Sequence, residues 1–155
     1  MTKIIFVCFG NICRSPMAQF VMKYLVARAG LEKNFQIESA GCHPSVGTPM
    51  SNGTANELKK NNIPFTRRTS KLLLASDYKK FDYLIGLDRS NVLDMKETCG
   101  GDPDNKIFML MEFAGEKRDV ADPYYTDDYA TTYKDCLIGC EALLERIITR
   151  YRNEI

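Results

Sequence analysis

The chain has 155 residues, of which 45% are hydrophobic and 26% are charged, a composition typical of a globular protein that folds as one domain. Its formal net charge of +1 creates no long-range field for nucleic acid or anionic lipid, so we expect neither partner. The apolar run 4–9 is too short for a signal peptide or a membrane span, so we expect a cytoplasmic protein.

The first half of the chain begins with a strand pattern over 3–8 and a helix pattern over 16–29. Ser15 is predicted as the N-cap of this helix and Pro16 as its first residue, because both types favour those positions. Gly30 is predicted to end it. A second strand, 35–39, and a weaker second helix, 50–61, follow.

The second half repeats this alternation. The predicted elements are a strand over 81–87, a helix over 89–98, a strand over 106–111 and a long amphipathic helix from about 128 to 152. Asp88 is predicted to cap the third helix, and Gly100 with Gly101 to close it. Strands that alternate with helices predict right-handed crossovers and a parallel α/β sheet covered on both faces.

The loop between the first strand and the first helix carries the chemistry. Ligands of such sheets bind outside the carboxyl ends of the strands, and a helix N-terminus favours an anion, so we expect a phosphate site directly after Cys8. Gly10 would let the backbone wrap closely, and Asn11 tolerates a positive φ. Arg14 presents a planar fork for two phosphate oxygens. The same groups would stabilise a thiolate, which makes Cys8 a candidate nucleophile.

This Cys-x5-Arg-Ser loop resembles the signature of low-molecular-weight protein tyrosine phosphatases. The similar segments are VCFGNICRSPMA, IESAG, FDYLIGLDRSN and DPYY, which together extend the resemblance along almost the whole chain. The resemblance implies one domain over 1–155, with three layers and a four-stranded parallel sheet in the order 2-1-3-4.

The resemblance also implies a tyrosine phosphatase that forms a phosphocysteine on Cys8, binds phosphate with Arg14 and uses Asp122 as general acid and base, without cofactor or metal. The implied phosphate loop further contains Phe9, Gly10, Asn11, Ile12, Cys13 and Ser15. The residue types alone leave the acid open, since Asp119, Asp127 and Asp128 lie in the same stretch.

The implied pocket is a deep apolar slot whose walls are Ile12, Tyr124 and Tyr125, with Phe9 at its rim. Such a slot suits phosphotyrosine, whereas phosphoserine is too short to reach its base. Related arginine phosphatases carry threonine at the position of Ile12, so this residue argues against that branch. Proteins that bear phosphotyrosine are the implied partners, and analogy with the family adds an autophosphorylated tyrosine kinase as one candidate.

Three other functions share parts of this pattern. An arsenate reductase of the same fold needs two further thiols on a mobile segment, and Cys99 is alone in its region. A phosphotyrosine-binding module without turnover is disfavoured because both Cys8 and Asp122 are present. A sugar-phosphotransfer carrier with a phosphocysteine would not need Arg14 together with Asp122.

The sequence leaves more than one interpretation open for several residues. Relatives often place a histidine after the second helix to support the loop asparagine, but this chain has FTRRTSK there. Arg67 and Arg68 either substitute for that histidine, steer acidic substrates or form a solvated pair of surface charges, which is the plain expectation. Ser39 is one alternative support. His43 either touches substrate or lies in a solvent-facing loop. The six cysteines are expected to be free thiols, and Cys13 either packs or traps oxidised Cys8 as a disulfide.

Overall fold

A computed structural model describes residues 1–153 and contains one parallel sheet. The strands are β1 (Thr2–Cys8), β2 (Phe35–Gly41), β3 (Tyr83–Gly86) and β4 (Ile107–Met109). Their spatial order is β2-β1-β3-β4, and all three pairings are parallel. The predicted fold class and strand order are confirmed.

Side chains of the central strand β1 alternate between two cores. Ile4 and Phe6 belong to the larger core, whereas Ile5 and Val7 belong to the smaller one. Because successive residues of a strand point to opposite faces, a strand covered on both faces must be apolar throughout. Cys8 follows this alternation into the larger core.

In the described part of the chain, six helices surround the sheet: α1 (Arg14–Arg28), α2 (Asn52–Lys60), α3 (Asp77–Lys80), α4 (Arg89–Cys99), α5 (Pro123–Thr126) and α6 (Tyr129–Asn153). Two short 3₁₀ segments are Glu32–Asn34 and Leu110–Ala114. The larger core takes residues from α1, α2 and α6, and the smaller one from α3 and α4. The three layers that the resemblance implies are therefore present.

Helix α1 begins earlier than its cap signals predict. Cys13, not Ser15, occupies the N-cap position, and its side chain makes no capping hydrogen bond. The Ser15 hydroxyl lies instead beside the Cys8 sulfur and the Asn11 amide. The predicted N-cap role of Ser15 is wrong because the phosphate loop needs that hydroxyl. By contrast, Asp88 does cap α4.

Hydropathy of the helices gives one further observation. Within residues 1–153, none of the helices combines the length and the apolar content that a membrane span requires.

Candidate active site

Cys8 lies at the carboxyl end of β1, buried beneath the loop that leads to α1. Its Sγ atom is 2.9 Å from the Ser15 hydroxyl oxygen. The backbone N–H of Asn11 donates to the same sulfur over 3.3 Å. Two polar groups of the loop therefore converge on Cys8, as a nucleophilic thiolate requires.

The backbone carbonyl groups of the Cys8 loop accept hydrogen bonds from residues outside the loop. Four of its carbonyl groups accept hydrogen bonds of 2.9–3.1 Å, those of Cys8, Phe9, Ile12 and Cys13. The donors are the backbone N–H groups of Cys42, His43 and Ser51 and the hydroxyl of Thr54. Neighbouring segments thus fix the loop before any ligand arrives, which is what a preorganised anion site requires.

Asn11 is the most constrained residue of the loop. It is fully buried and has a φ of 58°, so the expected positive φ is confirmed. Its amide Nδ2 donates to Ser15 Oγ at 2.8 Å and to Ser39 Oγ at 3.0 Å. Ser39 in turn donates to Gln19 Oε1 at 2.6 Å.

The carbonyl side of the Asn11 amide is held by a residue that we expected in solvent. Arg68 Nη2 donates to Asn11 Oδ1 at 2.5 Å, and the backbone N–H of Lys71 donates to the same oxygen at 3.0 Å. The expectation of a solvated arginine pair is wrong for Arg68, which is half-buried, and right for Arg67, which is exposed. Buried polar groups need partners, and Asn11 supplies one.

Arg14 is buried at the first position of α1 and is directed by acceptors from two other segments, one at the start of α4 and one before α5. Its Nη1 donates to Asp88 Oδ2 at 2.8 Å and to the carbonyl of Val120 at 2.9 Å. Its Nη2 lies 3.4 Å from Asp122 Oδ2. Burial alone would lower the pKa of Arg14, but the hydrogen bond and charge of Asp88 raise it above its usual value. The guanidinium is therefore charged and oriented.

Asp122 caps the short helix α5, and its Oδ1 accepts from the backbone N–H of Tyr124 at 3.1 Å. The other oxygen is the one that faces Arg14. The segment that leads to Asp122 is held against α6, because Arg118 forms a bidentate ion pair with Asp135 of α6 at 2.9 and 3.0 Å. The structure therefore brings Asp122 to the Cys8 loop.

The aromatic residues predicted as pocket walls are exposed to solvent. Tyr124 and Tyr125 are 75% and 83% exposed, and their rings meet edge to face at 5.1 Å. Ile12 is half-buried. Phe9 is 55% exposed, and its ring centroid lies 4.9 Å from that of His43. Exposed apolar rings of this kind are available to pack against a substrate ring.

Close backbone approach occurs at Gly41 rather than at Gly10. A Cβ atom on Gly10 would meet only Ile12 Cγ1, at 4.0 Å. On Gly41 it would lie 2.7 Å from the carbonyl oxygen of Phe9 and 3.1 Å from Asn11 Cβ. The glycine that lets the loop fold against the sheet is therefore in β2, where no sequence pattern indicated it.

All six cysteines are free thiols, as expected. Burial raises the pKa of Cys13, whose thiol donates to Ser51 Oγ at 3.4 Å. Cys136 and Cys140 are fully buried core residues of α6, and burial raises both pKa values far above the usual range. Whether Cys13 traps oxidised Cys8 stays a prediction.

Sequence reasoning missed part of the site. Asp88 was predicted only as a helix cap, although its place after β3, at the same sheet edge as Cys8, is a position where functional side chains gather. Gln19 carried no such indication, because its role depends on a contact with Ser39 across the fold. Among residues 1–153, no group of three or more His, Cys, Asp or Glu side chains is placed to hold a metal ion.

Comparison with known proteins shows a family match over nearly the whole chain. A family model described as "Low molecular weight phosphotyrosine protein phosphatase" matches residues 3–154. The low molecular weight protein-tyrosine-phosphatase PtpA of Staphylococcus aureus is 37% identical over 150 residues, which cover 96% of this chain and 95% of that protein.

Two solved structures are similar in fold over nearly their full length. YfkJ from Bacillus subtilis superposes with a TM-score of 0.93 at 33% identity, covering 97% of this chain and 96% of its own. SP-PTP, a low molecular weight protein tyrosine phosphatase from Streptococcus pyogenes, gives a TM-score of 0.87 at 38% identity, with coverage of 99% and 98%.

Proposed function

Because the chain belongs to the low-molecular-weight phosphotyrosine protein phosphatase family, we propose that it hydrolyses phosphotyrosine through a phosphocysteine on Cys8. The enzyme class, a cysteine-dependent protein tyrosine phosphatase acting on phosphoproteins, follows from the family. The observation that carries the residue assignment is the convergence of the Ser15 hydroxyl and the Asn11 N–H on the Cys8 sulfur. Arg14 and Asp122 meet beside this loop.

In the first step the Cys8 thiolate attacks phosphorus in line with the bond to the tyrosyl oxygen. Arg14 and the N–H groups of the loop hold the three remaining phosphate oxygens, whose charge they stabilise. The P–O bond breaks as the S–P bond forms, and Asp122 gives its proton to the departing phenolate. The products are a dephosphorylated tyrosine side chain on the substrate protein and S-phosphocysteine on the enzyme.

In the second step Asp122, now a carboxylate, takes a proton from a water molecule that attacks phosphorus. The S–P bond breaks, and inorganic phosphate leaves with the electron pair of the sulfur returned to Cys8. Ser15 supports this return because its hydroxyl lies 2.9 Å from Sγ and can donate to the emerging thiolate. The cycle needs only water as co-reactant.

The contacts of the neighbouring acids support Asp122 as the proton donor. Asp119 Oδ1 accepts from the backbone N–H of Arg89 at 3.0 Å, away from the loop. Asp128 binds Thr131 with both oxygens, and these bonds lower its pKa, which disfavours the protonated form. Within the described residues, Asp122 is the one acid of this group that contacts Arg14.

The substrate class follows from the walls of the site. We propose that the exposed rings of Tyr124 and Tyr125, opposite the apolar Ile12, sandwich a phosphotyrosine ring. Ile12 offers no hydrogen-bond partner for a guanidine, which favours phosphotyrosine over phosphoarginine. A cytoplasmic location and an autophosphorylated tyrosine kinase as one substrate are further proposals, supported by the composition and by analogy with the family.

The test is steady-state hydrolysis of p-nitrophenyl phosphate in EDTA by the wild type and by Cys8→Ser. We expect turnover in the wild type and none in the variant, with phosphotyrosine peptides cleaved faster than phosphoarginine peptides. Folded wild-type protein without turnover would contradict the proposal. Arsenate with thioredoxin and a phosphotyrosine-binding assay would then distinguish the reductase from the binding module.

A further inference from the structure

Arg68 reaches the site from the segment after α2, outside the Cys8 loop. Its Nη2 donates to Asn11 Oδ1 at 2.5 Å, while its neighbour Arg67 is exposed to solvent. A long cationic side chain loses rotamer entropy and hydration when it is drawn under a loop. Two adjacent residues of the same type therefore have different surroundings, and only Arg68 contacts the catalytic loop.

The hydrogen bonds that begin at Arg68 have a defined direction. Asn11 Oδ1 accepts from Arg68 and from the Lys71 N–H, so its Nδ2 must be the donor to Ser15. Since Ser15 Oγ accepts from Asn11, its one hydrogen is left for the Cys8 sulfur at 2.9 Å or for the Ala40 carbonyl at 3.4 Å, and the sulfur is the closer acceptor. Every donor in this series points from the guanidinium toward Cys8, and a charged first donor strengthens the bonds that follow.

The charge of Arg68 is poorly compensated by its surroundings. Its Nη1 atom is buried and has no hydrogen-bond partner among the described residues. Burial lowers the pKa of the Arg68 guanidinium, and the Cys8 thiolate is the ionised group that raises it again. An arginine nevertheless stays protonated in proteins, so a permanent positive charge acts on the nucleophile through space and is linked to it through Asn11 and Ser15.

Other titratable groups act on Cys8 as well. They are the guanidinium of Arg14 and the thiols of Cys13, Cys42 and Cys136, with Asp88 and Asp122 facing Arg14. Burial raises the pKa of each of these three thiols, so they are neutral near neutral pH. Both carboxylates are paired with Arg14, which leaves Arg68 as a second positive charge that lacks a carboxylate partner among the described contacts.

We propose that Arg68 is a positioning residue of the phosphatase reaction, which holds the Asn11 amide in place and provides a half-buried positive charge that stabilises the Cys8 thiolate. The proposal rests on the proposed function, since it concerns the same nucleophile. It assigns to the segment after α2 a part in catalysis without contact between Arg68 and substrate.

The test compares Arg68→Gln with Arg67→Gln, a matched control that loses the same charge one residue away. The readouts are the pH dependence of Cys8 alkylation by iodoacetamide, and kcat and KM for p-nitrophenyl phosphate. We expect Arg68→Gln to slow alkylation at mildly acidic pH by about tenfold and to move the acidic limb of the pH profile upward. The value of kcat should fall more than KM rises, and Arg67→Gln should match the wild type.

Arg68→Lys separates charge from folding. It should restore alkylation at mildly acidic pH to near the wild-type rate. If the glutamine variant fails to fold, the alkylation rate of Arg68→Lys is the result that tests the proposal. A folded Arg68→Gln with the alkylation profile of the wild type, or an Arg68→Lys as slow as a folded glutamine variant, would overturn the proposal. Loss of thermal stability with an unchanged alkylation profile would also overturn it, by showing a purely structural role.

Alkylation needs no turnover, so the result is independent of the proposed function. An inactive wild type in which alkylation still depends on Arg68 would contradict the phosphatase assignment alone. An active wild type with Cys8-dependent turnover and no effect of Arg68 would contradict the present inference alone.

Discussion

At the scale of single residues, the six cysteines of this chain differ in their surroundings more than in their chemistry. The Cys8 sulfur faces the Asn11 N–H and the Ser15 hydroxyl. Burial raises the pKa of the other five, to about 12 for Cys42. A raised pKa keeps a thiol neutral until the pH rises toward that value, and a neutral thiol is a poor nucleophile.

Labelling with iodoacetamide at neutral pH should therefore modify Cys8 first. Peptide mass spectrometry should find the label on the peptide that contains Cys8, and inorganic phosphate should slow the reaction by occupying the loop. Cys8→Ser serves as the control and should remain unlabelled over the same time. Equal labelling of Cys13 or Cys99 would show that burial does not separate these thiols as the structure indicates.

The role of Asp122 is tested by the dependence of rate on the leaving group. Asp122→Asn cannot donate the proton, so kcat should fall by about 10²–10⁴-fold for phosphotyrosine and much less for esters of acidic phenols. Asp119→Asn is the control from the same loop and should behave as the wild type. If Asp122→Asn lost the same factor for every leaving group, another acid would be the donor.

Residue types alone gave the candidate nucleophile and the candidate phosphate ligand, because Cys8 ends a strand pattern and Arg14 lies just before a helix pattern. For Arg68 they left three roles open, namely support of Asn11, steering of acidic substrates and a solvated surface charge, because its contact with Asn11 depends on how the segment after α2 packs in the fold. Asp122 was one of several acids until its contact with Arg14 separated it from the others.

At the scale of elements, the junction of β1, β2 and the loop is set by close packing. Gly41 pairs with Cys8 in the parallel register and leaves room for the Phe9 carbonyl and the Asn11 backbone. A side chain there would meet backbone atoms, which cannot rotate away as a flexible side chain can. The geometry of the phosphate loop therefore depends on a residue of the neighbouring strand.

Gly41→Ala should displace the loop and lower kcat by about 10–100-fold, since a displacement of about 1 Å in an active site has an effect of this size. Gly139→Ala on α6 is the matched control, because the atoms nearest its Cβ would belong to the flexible side chain of Leu110 and not to the backbone. Both variants should lower the melting temperature, and only Gly41→Ala should lower kcat. Wild-type kcat in a folded Gly41→Ala would contradict this account.

Element boundaries were predictable where the local chemistry is self-contained. The capping box at Asp88 and the left-handed Gly100 delimit α4 as expected. The four-residue helices α3 and α5 were missed, because they are too short to show a helical period. The apolar run 106–111 changes after Met109 into a 3₁₀ segment, a change that depends on packing against α6 and not on residue type.

At the scale of the whole molecule, the hydrophobic cores and the candidate site occupy different parts of the sheet. The two cores lie on its two faces, whereas the site lies at the carboxyl edge of β1. The sequence indicated a parallel sheet, but the strand order came from the resemblance, because alternating elements fit more than one order. The contacts of Arg14 with Asp88 and Asp122 join different segments at this edge, where we propose that the reaction takes place.

Leu84→Ala tests this separation. Leu84 is fully buried in the smaller core, so its truncation should lower the free energy of unfolding by about 2–5 kcal/mol. At a temperature where the variant stays folded, kcat and KM should equal those of the wild type. Urea denaturation and steady-state kinetics on the same sample provide the comparison, and a loss of kcat in the folded variant would show that the smaller core positions the site.

The central claim is that the phosphoryl group passes through Cys8, and trapping the intermediate tests it most directly. The wild type is mixed rapidly with p-nitrophenyl phosphate, stopped by a denaturing alkaline quench and analysed by peptide mass spectrometry. We predict one phosphoryl group on the peptide that contains Cys8, appearing before steady turnover and absent in Cys8→Ser. A phosphoryl group on any other residue, or steady turnover by Cys8→Ser, would contradict the mechanism.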